Sequence, residues 1–97
     1  MSAYIIAQYR NSDEYAAYRR AASELNAKWG ARILTKAGTS RLLEGSWEHD
    51  SMVVIEFESR QAAEAFYASD AYEAAKALRM DAPPILIVMV DGVDSRE

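Results

Sequence analysis

The stretch that decides the fold is Ile85-Leu86-Ile87-Val88-Met89-Val90, six apolar residues in a row. Its length and its β-branched residues are typical of a β-strand. Successive side chains of a strand point to opposite faces of a sheet, so this strand presents apolar side chains on both faces. A sheet that contains it therefore needs cover on two sides.

A second stretch, Met52 to Phe57, has the same character, with four consecutive apolar residues before Glu56. Ala3 to Tyr9 is also apolar and aromatic and predicts a first strand. Ala31 to Lys36 predicts a short strand, and Arg41 to Trp47 is expected to continue the pairing as a hairpin arm. The chain then contains four strands and one further arm.

Helical spacing separates the first two strands. Apolar and aromatic residues recur every three or four positions and form one stripe: Tyr15, Tyr18, Ala22, Leu25 and Trp29. Asn11 followed by Glu14 resembles a capping box and predicts the start of the helix, and Gly30 is a suitable residue for its end.

A second helical segment follows the Met52 to Phe57 strand. Ser59 is a suitable N-cap, and Ser69-Asp70 offers a second cap, so the helix is expected to bend or restart before Tyr72. Asp81 to Pro84 is expected to end it, because proline lacks the N–H that a helix needs.

The order strand, helix, strand, strand, helix, strand contains two β-α-β units. Right-handed crossovers place both helices on the same face of one sheet. We therefore predict an α+β fold with ferredoxin-like βαββαβ topology, a four-stranded antiparallel sheet and two helices on one face. Residues 1–97 are expected to form a single domain, with a frayed tail over residues 93–97.

Two helices leave one face of this sheet uncovered although its strands are apolar on both faces. Burial of a large apolar side chain contributes about 1.5–3 kcal/mol, so a covering partner is favoured. We predict a homodimer in which two sheets pack face to face. A small-molecule cavity is then expected between the two sheets or between a sheet and its helices.

Composition excludes several classes of function. Of 97 residues none is Cys and one is His, which removes disulfides, thiolate catalysis and cysteine-ligated metals. A net charge of −4 argues against nucleic-acid and membrane partners, and His49 in a polar loop is expected to be solvated rather than a metal ligand. The start of the chain has no signal-peptide pattern, so we expect a cytoplasmic protein. Because the chain has so few potential metal ligands of the Cys and His type, we also expect no metal, and we expect no other cofactor.

Several segments together resemble a known family: Arg32 through Gly38, Leu43-Glu44-Gly45-Ser46-Trp47, Val53 to Phe57, Ala62-Ala63 with Phe66-Tyr67, Ser69 to Tyr72, and Arg79. In order and spacing they are similar to the domain of unknown function 1330 family. The resemblance implies membership of the dimeric α+β barrel superfamily, which pairs two ferredoxin-like sheets. It implies no reaction and no catalytic residue. The family usually places an Arg just before the apolar strand, where this chain has Ser51.

Glu56 and Arg79 are the candidate catalytic residues. Glu56 interrupts an apolar strand on the face of Met52 and Val54, which we expect to be the helix-free face, and a carboxylate there needs a partner. Arg79, late in the second helix, is a candidate partner. Glu56 acts either as a general acid or base, with Arg79 or a tyrosine steadying negative charge, or as one half of a structural ion pair.

Tyrosines are the candidate ligand-binding residues. The chain has six, and most are expected to pack in the core with their hydroxyls hydrogen-bonded. Tyr9 and Tyr18 are expected to approach the edge of the open face, and Tyr72 is a third candidate. The resemblance to the dimeric α+β barrel superfamily permits one function, a cofactor-free enzyme with proton-transfer or oxygenase-like chemistry on a small, partly apolar molecule. The alternative is a non-catalytic binding or structural dimer module.

Overall fold

Over residues 2–83 and 85–93, which the computed structural model describes, the chain forms four strands and three α-helices. They are β1 (Ala3–Tyr9), α1 (Ala16–Lys28), β2 (Arg32–Ile33), β3 (Ser51–Phe57), α2 (Arg60–Tyr67), α3 (Asp70–Ala77) and β4 (Ile85–Asp91). The strands make one antiparallel sheet in the order β2-β3-β1-β4. This is the predicted ferredoxin-like arrangement.

The register of the sheet separates two apolar faces. Ile5 of β1 lies opposite Ile55 of β3 and Met89 of β4, and all three contribute to the core with the helices. The next position along, Ile6, lies opposite Val54 and Val88, and Val88 is exposed. The prediction of apolar residues on both faces is confirmed because these two rows alternate along the strands.

The core fills the space between the sheet and the three helices. Phe66 of α2 lies at its centre, with its ring centroid 5.1 Å from Phe57 and 5.2 Å from Tyr72. Trp29, just after α1, packs edge-on against the same ring at 5.9 Å. Aromatic contacts at these separations add to the free energy gained by burying the rings.

The face without helices, which we call the open face, carries a continuous apolar patch. Leu86, Val88 and Val90 are 49%, 44% and 44% exposed. Ile6, Met52 and Val54 lie beside them and are partly buried. Monomeric proteins rarely leave contiguous apolar patches of this kind in water.

The start of the first helix differs from the capping box predicted at Asn11. The capping side chain is Ser12, whose Oγ accepts a hydrogen bond from the Glu14 N–H at 3.2 Å. A short 3-10 turn, Asp13–Tyr15, precedes α1. Asn11 instead accepts a hydrogen bond from Arg19 at 3.2 Å. The end was predicted correctly, since Gly30 adopts a left-handed φ of 69°.

The predicted hairpin arm is wrong, and β2 is shorter than predicted. After Leu34 donates its N–H to the Val54 carbonyl, the Thr35 hydroxyl accepts from the Val54 N–H at 2.9 Å. A side chain thus takes the place of a backbone acceptor, and the chain leaves the sheet. Residues 41–47 form no strand, and the Trp47 indole donates to the Gln8 side chain at 2.9 Å.

The predicted restart of the second helix is confirmed. Ser59 caps α2 and Ser69 caps α3, each accepting from a backbone N–H three residues later at 3.1 Å. The final helix ends at Ala77, before the predicted stop at Asp81, and Pro84 of that stop lies outside the described residues. Of the predicted tail, Val93 is exposed and residues 94–97 also lie outside them.

Candidate functional site

A cavity of about 280 Å³ lies between α1 and the helix-covered face of the sheet. Ala7, Val53 and Ile55 form its sheet wall, and Tyr18, Ala22 and Asn26 form its helix wall. The small side chains of Ala7 and Ala22 leave the space open where larger residues would close it. Pockets for small molecules typically have volumes of about 300–1,000 Å³, so this cavity suits a small ligand.

The polar side chains at this cavity are few. They are Tyr9, Tyr18, Arg19, Ser23, Asn26 and Thr35, and among the described lining residues none is acidic. Arg19 and Ser23 lie on the exposed side of α1, at the mouth. The interior is therefore apolar, with its charge restricted to one cation at the entrance.

A smaller space of about 30 Å³, which we call the inner void, lies deeper in the core. Tyr18 and Asn26 line both the cavity and the inner void, so the two spaces are neighbours. Tyr72, Phe66 and Ile87 complete much of the inner wall. A group the size of one water molecule fits there, since about 10–15 Å³ suffices for one.

Two tyrosine hydroxyls meet at this inner end. Tyr18 Oη and Tyr72 Oη are 2.8 Å apart and share a hydrogen bond, with the rings edge to face. The Arg79 guanidinium lies 4.9 Å from the centroid of the Tyr18 ring. Burial, together with the neighbouring Tyr72, raises the pKa of Tyr18 well above its ordinary value. Tyr18 therefore stays protonated at neutral pH and acts as a hydrogen-bonding group, not as a base.

Asn26 is a candidate site residue that the sequence analysis missed. It lies in α1, is only 4% exposed, and its Oδ1 has no hydrogen-bond partner among the described residues. A signal was present in the sequence, because Asn26 follows Tyr18 and Ala22 at spacings of four and so falls on the sheet-facing side. A polar residue on such a stripe needs either a buried partner or a ligand.

The three predicted ligand-binding tyrosines line the cavity or the inner void, and Tyr9 and Tyr18 do not lie where they were expected. Tyr9 is buried against Tyr15, with ring centroids 5.3 Å apart, and Tyr15 donates to the Pro83 carbonyl. Tyr9 and Tyr18 both line the cavity under the helices. The expectation that they approach the open face is wrong, because Tyr9 has the strand parity of Ile5 and faces the helices.

Glu56 lies on the open face beside Met52 and Val54, as predicted, but its partner is not Arg79. Glu56 Oε1 is 3.5 Å from Arg32 Nη1, and Tyr4 donates to Glu56 Oε2 at 3.4 Å. Arg32 occupies the register position opposite Glu56 on β2. Arg79 packs over Tyr18 on the other side of the sheet, so the strands separate the two predicted catalytic residues.

Potential metal clusters and membrane-crossing helices were sought in the described part of the chain. No cluster of three or more His, Asp or Glu side chains there has the geometry of a metal site. None of the helices within those residues is long and apolar enough to cross a bilayer.

The strand order, the helix-covered face and the pocket beneath α1 define a ferredoxin-like α+β protein. Its family follows from a sequence profile that matches residues 2–93 and is described as "Domain of unknown function (DUF1330)". The chain belongs to this family. No curated protein matches it.

Solved structures with the same fold include proteins of unknown function. One from Rhodopseudomonas palustris has a TM-score of 0.73 and 16% identity, covering 96% of this chain and 83% of its own. A dimeric ferredoxin-like protein from Jannaschia sp. CCS1 has a TM-score of 0.65 and 11% identity, and the match covers 95% of this chain and 100% of that protein. A protein from Caulobacter crescentus CB15 described as a "putative antibiotic biosynthesis monooxygenase" has a TM-score of 0.61 and 19% identity, and the match covers 96% of this chain and 90% of that protein. At these identities the similarity establishes the fold.

Proposed function

We propose that this protein is a homodimer in which each subunit binds one small, largely apolar molecule in the cavity between α1 and the sheet. The observation that carries the proposal is that cavity: about 280 Å³, apolar walls, and a buried side-chain amide oxygen without a partner among the described residues. An apolar pocket with a few convergent polar groups is the usual form of a small-molecule site.

The open face supports the homodimer. Its apolar side chains lie in adjacent rows of β3, β1 and β4, which makes a broad surface that a second copy can cover with the same residues. Three solved structures of this fold are described as dimeric. A dimer through this face leaves the cavity under the helices of each subunit free.

The position of Glu56 favours binding over proton transfer by this residue. A ligand under α1 is separated from Glu56 by the sheet, and the carboxylate already pairs with Arg32 and Tyr4. The alternative of a structural ion pair therefore has the stronger support. The polar groups that a bound molecule meets are Asn26 and the hydroxyls of Tyr18 and Tyr72.

Filling the cavity tests the proposed site. We expect Ala22→Leu to weaken the binding of a small aromatic probe, 2-naphthol, at least tenfold, because the added side chain occupies the space between α1 and Ile55. Isothermal titration calorimetry measures the dissociation constant. Ala27→Leu adds the same atoms at an exposed position of α1 and is the matched control. Equal 2-naphthol affinity in the wild type and Ala22→Leu contradicts the proposed site.

A further inference from the structure

Asn26 places a polar side chain at a position where an apolar side chain would make the fold more stable. Buried amide oxygens nearly always accept a hydrogen bond, and an unpaired one lowers the stability of the fold. The neighbours of Asn26 along the cavity and inner void are largely apolar, including Ala7, Ala22 and Ile55. A leucine of similar size would suit these surroundings better than asparagine does.

The place of Asn26 between the two spaces identifies what its oxygen can pair with. Asn26 borders both the cavity and the inner void, so a molecule in the cavity lies next to its side chain. Only a donor, an O–H or N–H, can hydrogen-bond to an amide oxygen.

The hydroxyls of Tyr18 and Tyr72 restrict which chemical group of the ligand can supply that donor. One hydrogen of the Tyr18 and Tyr72 hydroxyls is used between them, which leaves the pair with one further hydrogen to donate. A ligand hydroxyl can hydrogen-bond to both partners, since it donates to Asn26 and accepts from the tyrosine pair. The inner void, at about 30 Å³, has room for a group of that size.

We infer, on the basis of the proposed function, that the ligand is an alcohol or phenol with an apolar body. Its uncharged hydroxyl enters the inner void and donates a hydrogen bond to Asn26 Oδ1. The apolar body packs between Ala22 of α1 and the Val53 and Ile55 side chains of the sheet.

Two aromatic probes of nearly the same shape test this inference on the wild-type protein. 2-Naphthol has a hydroxyl, whereas 2-fluoronaphthalene has a fluorine of nearly the same size and lacks the donor. We expect 2-naphthol to bind at least tenfold more tightly by calorimetry at neutral pH, in line with the loss caused by a missing hydrogen bond to a buried group. This comparison does not depend on how any variant folds.

Asn26→Leu supplies the second measurement. We expect this variant to bind the two probes with equal affinity and, without ligand, to have a higher thermal unfolding midpoint than the wild type. Ala27→Leu, at an exposed position of α1 outside the cavity, is the control and is expected to keep the preference for 2-naphthol. A lower midpoint for Asn26→Leu together with an unchanged preference overturns the inference.

The outcomes separate this inference from the proposed function. If both probes bind the wild type equally and Ala22→Leu weakens both, the cavity is a binding site but its ligand is not selected by a hydroxyl. If neither probe binds, or if Ala22→Leu changes neither affinity, both the proposed function and the inference are wrong.

Discussion

Val88→Asp is expected to convert the proposed dimer into a monomer. Val88 lies in the middle of the open face, opposite Ile6 of β1, and is 44% exposed in the single chain. A face-to-face dimer would bury the aspartate from both subunits without a compensating charge, at a cost of several kcal/mol for each ion. The dissociation constant should rise by more than about a thousandfold.

Sedimentation velocity over a range of concentrations measures this change. Ala17→Asp adds the same charge at an exposed position in the first turn of α1 and should leave the dimer intact. Circular dichroism should show the secondary structure unchanged in Val88→Asp, since the side chain is half exposed in one subunit. A Val88→Asp variant that remains dimeric with an unaltered dissociation constant contradicts association through the open face.

Phe66→Ala is expected to destabilise the fold strongly, lowering the free energy of unfolding by about 3–5 kcal/mol. The ring is buried, contacts Phe57, Tyr72 and Trp29, and forms part of the wall of the inner void. Its removal loses apolar burial and leaves a larger hole that the helices and sheet cannot fully close.

Urea unfolding at one fixed protein concentration measures the effect, because dissociation of the proposed dimer would make the midpoint depend on concentration. Gln61→Ala, an exposed position on the same helix, is the control and should change the free energy by no more than about 0.5 kcal/mol. A loss below about 1 kcal/mol for Phe66→Ala would show that the ring is not the centre of the core.

The fold was predictable because its main signals are local. The alternation of side chains in β3 and β4 depends only on strand geometry, and it defined two apolar faces before any contact was known. Ser59 and Ser69 could be recognised as caps for the same reason, since each bonds to a backbone N–H three residues away.

The misplaced elements depend on contacts between distant residues. The arm at 41–47 was expected to pair because its pattern suits a strand, but the Thr35 hydroxyl takes the Val54 N–H that a longer β2 would use. Likewise, Arg79 was predicted as the partner of Glu56, but strand register determines which arginine lies beside this carboxylate. Opposite Glu56 the register of β2 and β3 places Arg32, which no sequence pattern had indicated.

The candidate site was predicted only in outline. The topology predicted a pocket either between two sheets or between a sheet and its helices, whereas Tyr9 and Tyr18 were expected near the open face and instead line the pocket under the helices. The importance of Asn26 was not predicted, because its missing hydrogen bond becomes visible only when the sheet has been packed against α1.

Native mass spectrometry of the protein purified from the cells that produce it tests most directly whether two chains assemble with an occupied cavity in each. We expect a complex of two chains that carries up to two copies of one small molecule, and we expect the Ala22→Leu variant to keep the pair but lose the added mass. A single chain without any bound molecule, obtained under conditions that preserve known dimers, contradicts both the shared open face and the ligand site beneath α1.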